Sequence, residues 1–450
     1  MSASSDLLSI YRAAIRAADP YVAIHEALSI EGESLAIHGE RIDLSRFERI
    51  LVLGAGKASG RMMEAVESIL GPRISGGLVI VKEGHCARLG IVEQIEASHP
   101  VPDGRGVEGA RRILEMTEGA DDRTLIIFLF SGGASSLLVL PEDGLMLEDK
   151  VRATELLLNS GASIAETNSV RKHLSKVKGG RLAMAAHSAT ILTLLVSDVI
   201  GDRLDVIASG PTASDSSTYN DALEAISKYD LREKMPERVI AHLQKGAAGL
   251  IDETLKKDSP ARHFVVSDIG RAIAAAREEA EGLGYRTEIV SSRLQGEARH
   301  AAKFLSSIAL AKHMQPLCLL SGGETTVEVR GDGKGGRNQE LALAFSIEIE
   351  GHEGIFMLSA GTDGSDGPTD AAGAIVDGKT CLEARLSGLI PEKHLEENDS
   401  YGFFDKLDGR SGSKHHFKTG PTGTNVMDIQ VILVRSPSSC ASAAACPGDP

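Results

Sequence analysis

An α/β fold in two domains follows from two observations: short apolar runs recur along the chain, and helical patterns separate many of them. The runs fall at residues 50–53, 77–81, 125–130, 190–196, 264–266, 316–320, 355–358 and 431–434. A strand buried on both faces reads as a continuous apolar run, so runs that alternate with helices predict βαβ units and a mostly parallel sheet. At 450 residues the chain is long enough for two domains, each with its own core. Aromatic residues make up only 4%, Trp is absent and there are 48 glycines. That composition points toward a loop-rich α/β enzyme and away from a β-sandwich or a base-stacking nucleic-acid binder.

The first strand, 50–53, breaks into Gly54-Ala-Gly-Lys57-Ala-Ser-Gly60, and a helical pattern continues over 61–70. Strand, tight glycine turn and helix let backbone amides approach an anion, with a helix N-terminus behind them. Gly54 and Gly56 then serve close approach, and Lys57 sits where phosphate charge is handled. The spacing G-x-G-x-x-x-G is one residue longer than the dinucleotide fingerprint, and no isolated Asp or Glu follows cleanly about twenty residues on. A P-loop needs Gly where Leu51 stands and Ser or Thr where Ala58 stands. The glycines alone equally fit a plain turn at a helix start, its lysine in solvent.

The run 125–130 leads into Ser131-Gly132-Gly133-Ala-Ser135, and 317–320 leads into Ser321-Gly322-Gly323-Glu324. Ligands of open α/β sheets sit beyond the carboxyl ends of strands, so both loops are candidates for binding phosphate, nucleotide or substrate across a cleft. Convergence on one strand–loop solution accounts for the echo as well as a repeat does. Residues 150–187 read as a basic-rich helical stretch. The run 190–196 delivers Asp198 and Asp202 at a strand end, where they can ligate magnesium or, for Asp198, accept a substrate proton. Structural turn acids are the plainer alternative.

After a helical segment at 219–247, the polar stretch 252–261 reads as the domain boundary. The domains are then 6–250 and 262–435, the second opening on a strand at 264–269 and a helix at 271–283. The glycine loop ending in Gly335-Gly-Arg337-Asn338 presents Arg337 and Asn338 to a helix at 340–350, and the planar guanidinium suits phosphate or carboxylate. A surface hairpin with a solvated arginine remains open. Asp363, Asp366 and Asp370 form an acidic turn that lacks EF-hand spacing but suits magnesium or a polyol, and Thr424 and Asn425 sit in a last glycine loop. Residues 409–418, with His415 and His416, read as a polar loop, and 436–450 as a disordered tail.

The net charge of −15 argues against a nucleic-acid partner, while local cations and amides still accommodate an anionic substrate. Five cysteines without C-x-x-C spacing indicate neither zinc nor a disulfide framework, and no apolar run is long enough to span a membrane. A cytoplasmic protein without a membrane partner is expected. Glycine turns, a lysine, an arginine and several carboxylates together suit phosphoryl transfer, which needs positioned phosphates and aimed cations.

The ordered set Leu53-Gly-Ala-Gly-Lys-Ala58, Phe130-Ser-Gly-Gly-Ala-Ser-Ser136, Lys178-Gly-Gly-Arg-Leu182, Val196-Ser-Asp-Val-Ile-Gly-Asp202, Ser209-Gly-Pro-Thr212, Ser321-Gly-Gly-Glu-Thr325, Gly335-Gly-Arg-Asn-Gln-Glu340 and Gly361-Thr-Asp-Gly-Ser-Asp-Gly367 resembles that of the class II glycerate kinases. This glycerate 2-kinase family is named for a MOFRL motif in its C-terminal part. The resemblance implies ATP-dependent phosphorylation of D-glycerate at its 2-hydroxyl, with Mg2+ or another divalent cation. It implies a larger Rossmann-like N-terminal domain and a smaller α/β domain holding the MOFRL region, about 316–430, with the active site in the cleft between them. Lys57 and Arg337 match the residues tied to catalysis in the family. Asp198 joins them as a candidate base, with Asp198, Asp202 and Asp363 as candidate metal ligands. ATP and D-glycerate are the expected partners, and a homodimer is compatible with the reading. The insert at 408–416 and the tail at 436–450 depart from the family pattern. An NAD(P)H-dependent hydroxypyruvate reductase and a non-enzymatic sugar-acid or nucleotide sensor are the rival readings.

Overall fold

A computed structural model describes residues 2–312, 316–412 and 414–435. The chain divides into two compact units, one spanning Pro20–Ser267 and the other combining the residues through Asp19 with those from Asp268 onward.

The first unit begins with an antiparallel meander of β1 (Leu28–Glu31), β2 (Ser34–Ile37) and β3 (Glu40–Asp43). Its centre is a six-stranded sheet of β4 (Arg49–Ala55), β5 (Gly76–Lys82), β6 (Glu93–Ala97), β7 (Thr124–Phe130), β8 (Thr190–Val196) and β9 (Arg262–Ser267). All neighbouring pairs are parallel, in the order β6-β5-β4-β7-β8-β9. Every residue of β7 is buried, which is why its sequence is apolar without alternation. The edge strand β6, Glu-Gln-Ile-Glu-Ala, is mostly polar and leaves no apolar run to detect. The chain builds outward from β4 through β5 to β6, then returns to β7 on the other side of β4. The order therefore reverses between β4 and β7, and the carboxyl ends of such a pair flank a ready-made crevice.

The basic-rich stretch at 150–187 is three helices, Leu147–Asn159, Ile164–His173 and Arg181–Ala185. With Tyr219–Lys228 and Glu237–Ala247, the first two enclose a second core around Leu157, Val170, Tyr219 and Leu243.

The other unit holds a mixed sheet of β10 (Arg286–Leu294), β11 (Leu317–Gly323), β12 (Ile355–Gly361), β13 (Gly373–Asp377), β14 (His416–Phe417) and β15 (Asp428–Val434). Its order is β10-β11-β15-β12-β13-β14, and only β10 and β11 run parallel. Gly323, Gly361 and Asp428 lie side by side at one end of the three central strands. The helix Arg337–Glu348 buries Leu341, Leu343 and Phe345 in this unit's core.

Two boundaries differ from the sequence reading. The helix Ala3–Ala18 packs with the second unit: Tyr11 donates to the Gly361 carbonyl at 2.9 Å, and Tyr285 donates to Asp6 at 2.7 Å. Strand β9 does not open the second domain but closes the parallel sheet beside β8, with Ser197 N donating to Ser267 O at 2.8 Å. The segment 409–418 is not one loop, since the helix Ser400–Ser411 runs into it and β14 lies within it. Asp408 gathers His415 Nδ1 at 2.7 Å and the His416 amide at 3.1 Å, which holds these histidines structurally. The tail at 436–450 lies outside the described residues.

Candidate active site

In the first unit, two turns interlock at the carboxyl ends of β4 and β7. A Cβ on Gly54 would stand 2.2 Å from the Leu129 carbonyl oxygen, so no larger residue fits there. Gly56 has φ +142°, and a Cβ on it would stand 2.1 Å from Ser131 Oγ. The amides of this turn are committed to protein: Gly56 N donates to Ile80 O at 3.0 Å, Lys57 N to Gly132 O at 2.9 Å and Ala58 N to Ser131 Oγ at 3.0 Å. The turn is therefore not the open amide cradle its sequence suggests. What it presents is the Lys57 side chain. Gly132 and Gly133 are the turn residues whose amides make no hydrogen bond among the described residues.

The stem of Lys57 runs beside Gly133, where a Cβ would lie 3.1 Å from Lys57 Cγ and 3.1 Å from His99 Cδ2. Burial, reinforced by Lys57, Lys82 and His85, holds the His99 imidazole down to a pKa of about 4. Asp198 follows β8; burial pushes its carboxyl above the usual range while the charge of Lys57 opposes that rise. Asp202, four residues on, has φ +53°. Ser135 Oγ lies 2.8 Å from Ser209 Oγ, and Ala208 and Ser209 both hold left-handed backbone at φ +56° and +62°.

A cavity of about 400 Å³ adjoins Gly133 and Ser135. Lys150, Arg171 and Lys178 reach it from the stretch read as basic helices. Sequence reasoning placed Lys178 in a glycine motif without a role and passed over Lys150 and Arg171, because the packing that sets their positions leaves no local pattern.

In the second unit, Arg337 opens its helix and meets Asp428 at the start of β15 through two bonds, Nε–Oδ2 at 2.6 Å and Nη2–Oδ1 at 2.9 Å. Its Nη1 lies 3.0 Å from Glu324. Burial disfavours the guanidinium charge, but Asp428 and Glu324 outweigh it and hold the pKa above its ordinary value. Asp428 is 0% exposed; the sequence marks it only as a member of the last glycine loop, and its pairing with Arg337, 91 residues earlier, is not legible there.

The N-terminus of the Arg337 helix is already occupied by a carboxylate. Asp366 accepts from Asn338 N at 3.0 Å, Gln339 N at 2.9 Å and Gln339 Nε2 at 2.9 Å. Burial raises its pKa to about 6 against the pull of those donors. Asn338, expected to contact ligand, is buried, and its Oδ1 accepts from Ser359 at 2.8 Å. Ser321 is likewise buried, donating to Gln430 at 2.9 Å inside β11. Ser321 and the two glycines after it thus lie within their strand, whereas Ser131 follows its own strand; the two loops are not equivalent. Side chains at Gly322 and Gly323 would strike Ile269 and Leu294. Thr424 donates to the Ala18 carbonyl at 2.7 Å, and Asn425 accepts from Met427 N at 3.2 Å. Glu324 and Asp363 stay near the Arg337 end of the sheet, Asp363 accepting from Ser365 N at 3.0 Å. Among the described residues, no group of three or more His, Cys, Asp or Glu side chains is placed to hold a metal ion.

Residues 6–244 match a domain of unknown function, DUF4147, and residues 317–428 match the MOFRL family. The glycerate 2-kinase of Pyrococcus horikoshii is 41% identical over 431 residues, covering 94% of this chain and 95% of the relative. A putative hydroxypyruvate reductase of Agrobacterium vitis is 41% identical over 394 residues, covering 86% of this chain and 99% of the relative. The crystal structure of the Thermotoga maritima glycerate kinase superposes with a TM-score of 0.83 at 39% identity, covering 96% of this chain and 99% of that one. With both regions matched in order and relatives aligned over nearly its whole length, the chain belongs to the glycerate kinase family that joins a DUF4147 domain to a MOFRL domain.

Proposed function

We propose that this chain transfers the γ-phosphoryl group of ATP to the 2-hydroxyl of D-glycerate, giving 2-phosphoglycerate and ADP. The observation that carries the reading is the placement of Lys57 on a rigid turn at the strand-order reversal, with Asp198 close enough to feel its charge. Phosphoryl transfer asks for a cation aimed at the migrating group and an acceptor for the alcohol proton. Lys57 and Arg337 are the proposed cations. Asp198, its pKa raised by burial, takes the hydroxyl proton. The amides of Gly132 and Gly133 are available to phosphate oxygens, a role the committed amides of residues 56–58 do not fill.

Magnesium typically binds through one or two carboxylates plus substrate phosphates, and Asp198 and Asp202 match that donor set. When bound, the ion neutralises phosphate charge. The hydroxypyruvate reductase reading lacks a nicotinamide fingerprint, and the glycine turn that comes nearest to one has its amides closed. One assay separates the two. Purified protein with D-glycerate, ATP and magnesium is expected to release ADP, and with hydroxypyruvate and NADH to leave the NADH absorbance unchanged; the opposite pair of results would reject the kinase.

A further inference from the structure

The cavity beside the Ser131-Gly-Gly turn carries more positive charge than packing explains. Its wall includes His99, Gly133, Ser135, Lys150, Arg171 and Lys178. Lys178 is 1% exposed, and its ammonium has one long contact, the Ala208 carbonyl at 3.4 Å. Lys150 is 6% exposed and donates to the carbonyls of Arg171 at 3.2 Å and Leu174 at 2.9 Å. The acid in the wall, Glu155, sits 3.9 Å from Arg152. Among the described residues none of the three cations has a carboxylate at ion-pair distance. Burial, and the neighbouring charges of Lys150 and Arg171, push Lys178 well below its ordinary value, and Lys150 is lowered to about 7. A buried, unpartnered ammonium is costly, and an apolar side chain of the same length would fill the space better. Lys178, with its one long carbonyl contact, and Lys150 and Arg171, none of them ion-paired among the described residues, converge on an open cavity and describe a site made for an anion.

We propose that this cavity takes the carboxylate of the acid co-substrate, with Lys178, Arg171 and Lys150 as its cationic partners; the assignment rests on the kinase reading above. An arriving carboxylate favours the charged form of the lysines and removes the penalty of their burial. The volume suits a small organic acid. The anchoring also bears on which hydroxyl reacts. The 2-hydroxyl is carried by the carbon next to the carboxylate, and Gly133, in the cavity wall, is in contact range of the Lys57 stem. A carboxylate held in the cavity therefore brings the 2-hydroxyl toward Lys57 ahead of the 3-hydroxyl.

The test uses the full chain with Lys178→Met and Arg171→Leu, read by steady-state kinetics and by calorimetric titration with D-glycerate. Truncating one member of a buried charge contact predicts a rise in KM for D-glycerate of at least about tenfold, with KM for ATP within about twofold. The Tm of Lys178→Met is expected to hold or rise, an outcome opposite to that of a structural lysine. An unchanged KM for D-glycerate, or a rise confined to ATP, would overturn the assignment, the latter by placing a nucleotide phosphate in the cavity. Should Lys178→Met not fold, Arg171→Leu carries the same expectation and the same refutation. Wild-type protein that binds D-glycerate by calorimetry but releases no ADP would count against the kinase and not the cavity. Release of ADP with unaltered glycerate kinetics in both variants would count against the cavity alone.

Discussion

Lys57 and Arg337 are held by different physics. The Lys57 stem lies beside a glycine on a locked turn, whereas Arg337 is clamped by the bidentate carboxylate of Asp428. Lys57→Ala is expected to lower kcat by roughly 10²- to 10³-fold with Tm little changed, as for other groups that stabilise developing charge. Arg337→Ala removes a cation proposed for catalysis and also strands a buried carboxylate, so it should lower stability by roughly 3 kcal/mol as well. The Arg337→Ala/Asp428→Asn double variant is then expected to recover much of the unfolding midpoint in urea while kcat stays low; recovery of both would make Arg337 structural. At His99 the sign is set by a folded-state pKa of about 4 against an ordinary 6.5. The folded protein resists that protonation, so the contribution is whole above the ordinary value and is lost as pH falls toward the depressed one. His99→Gln should lose less Tm than wild type between about pH 7 and 5. At this scale the sequence marked the groups that sit on glycine turns. Lys178 and Asp428 lie in motifs the sequence shows, but their roles escaped because burial and distant pairing leave no local pattern.

Among the elements, the helix Arg337–Glu348 is oriented by Asp366, which accepts two of its first amides. Asp366→Ala should cost about 1–3 kcal/mol, through the lost cap and the amides left unsatisfied, and should lower kcat by misplacing Arg337. Chemical denaturation and kinetics on one preparation check both; a stable variant with normal kcat would remove Asp366 from the account. Gly56→Ala offers a sharper case, since its Cβ would meet Ser131 Oγ at 2.1 Å from a left-handed backbone. Loss of activity with a lowered Tm is expected there. Strands β4, β5, β7 and β8 were legible because central parallel strands must be apolar on both faces. Strand β6 was not, since a polar edge strand looks like a loop, and the acidic turn at 363–370 read as a ligand site because capping and ligation ask for the same residue types.

On the scale of the whole molecule, the two units are not consecutive in sequence, because the helix Ala3–Ala18 belongs to the unit that begins at Asp268. Contacts such as Tyr11 to Gly361 span 350 residues, and no local reading could place them. Tyr11 is 2% exposed, so Tyr11→Ala should destabilise the protein by about 3–5 kcal/mol through the cavity it leaves, as seen for large aromatic truncations. A midpoint shift under about 1 kcal/mol would mean that the first helix is dispensable. The division into α/β units was legible from alternating runs, whereas the seam at residues 19–20 and 267–268 was not. Which hydroxyl receives the phosphoryl group is read from phosphorus and proton NMR of the product formed from D-glycerate, ATP and magnesium. 2-Phosphoglycerate with stoichiometric ADP is expected; 3-phosphoglycerate, or no phosphorylated product, would overturn the proposed transfer to the 2-hydroxyl.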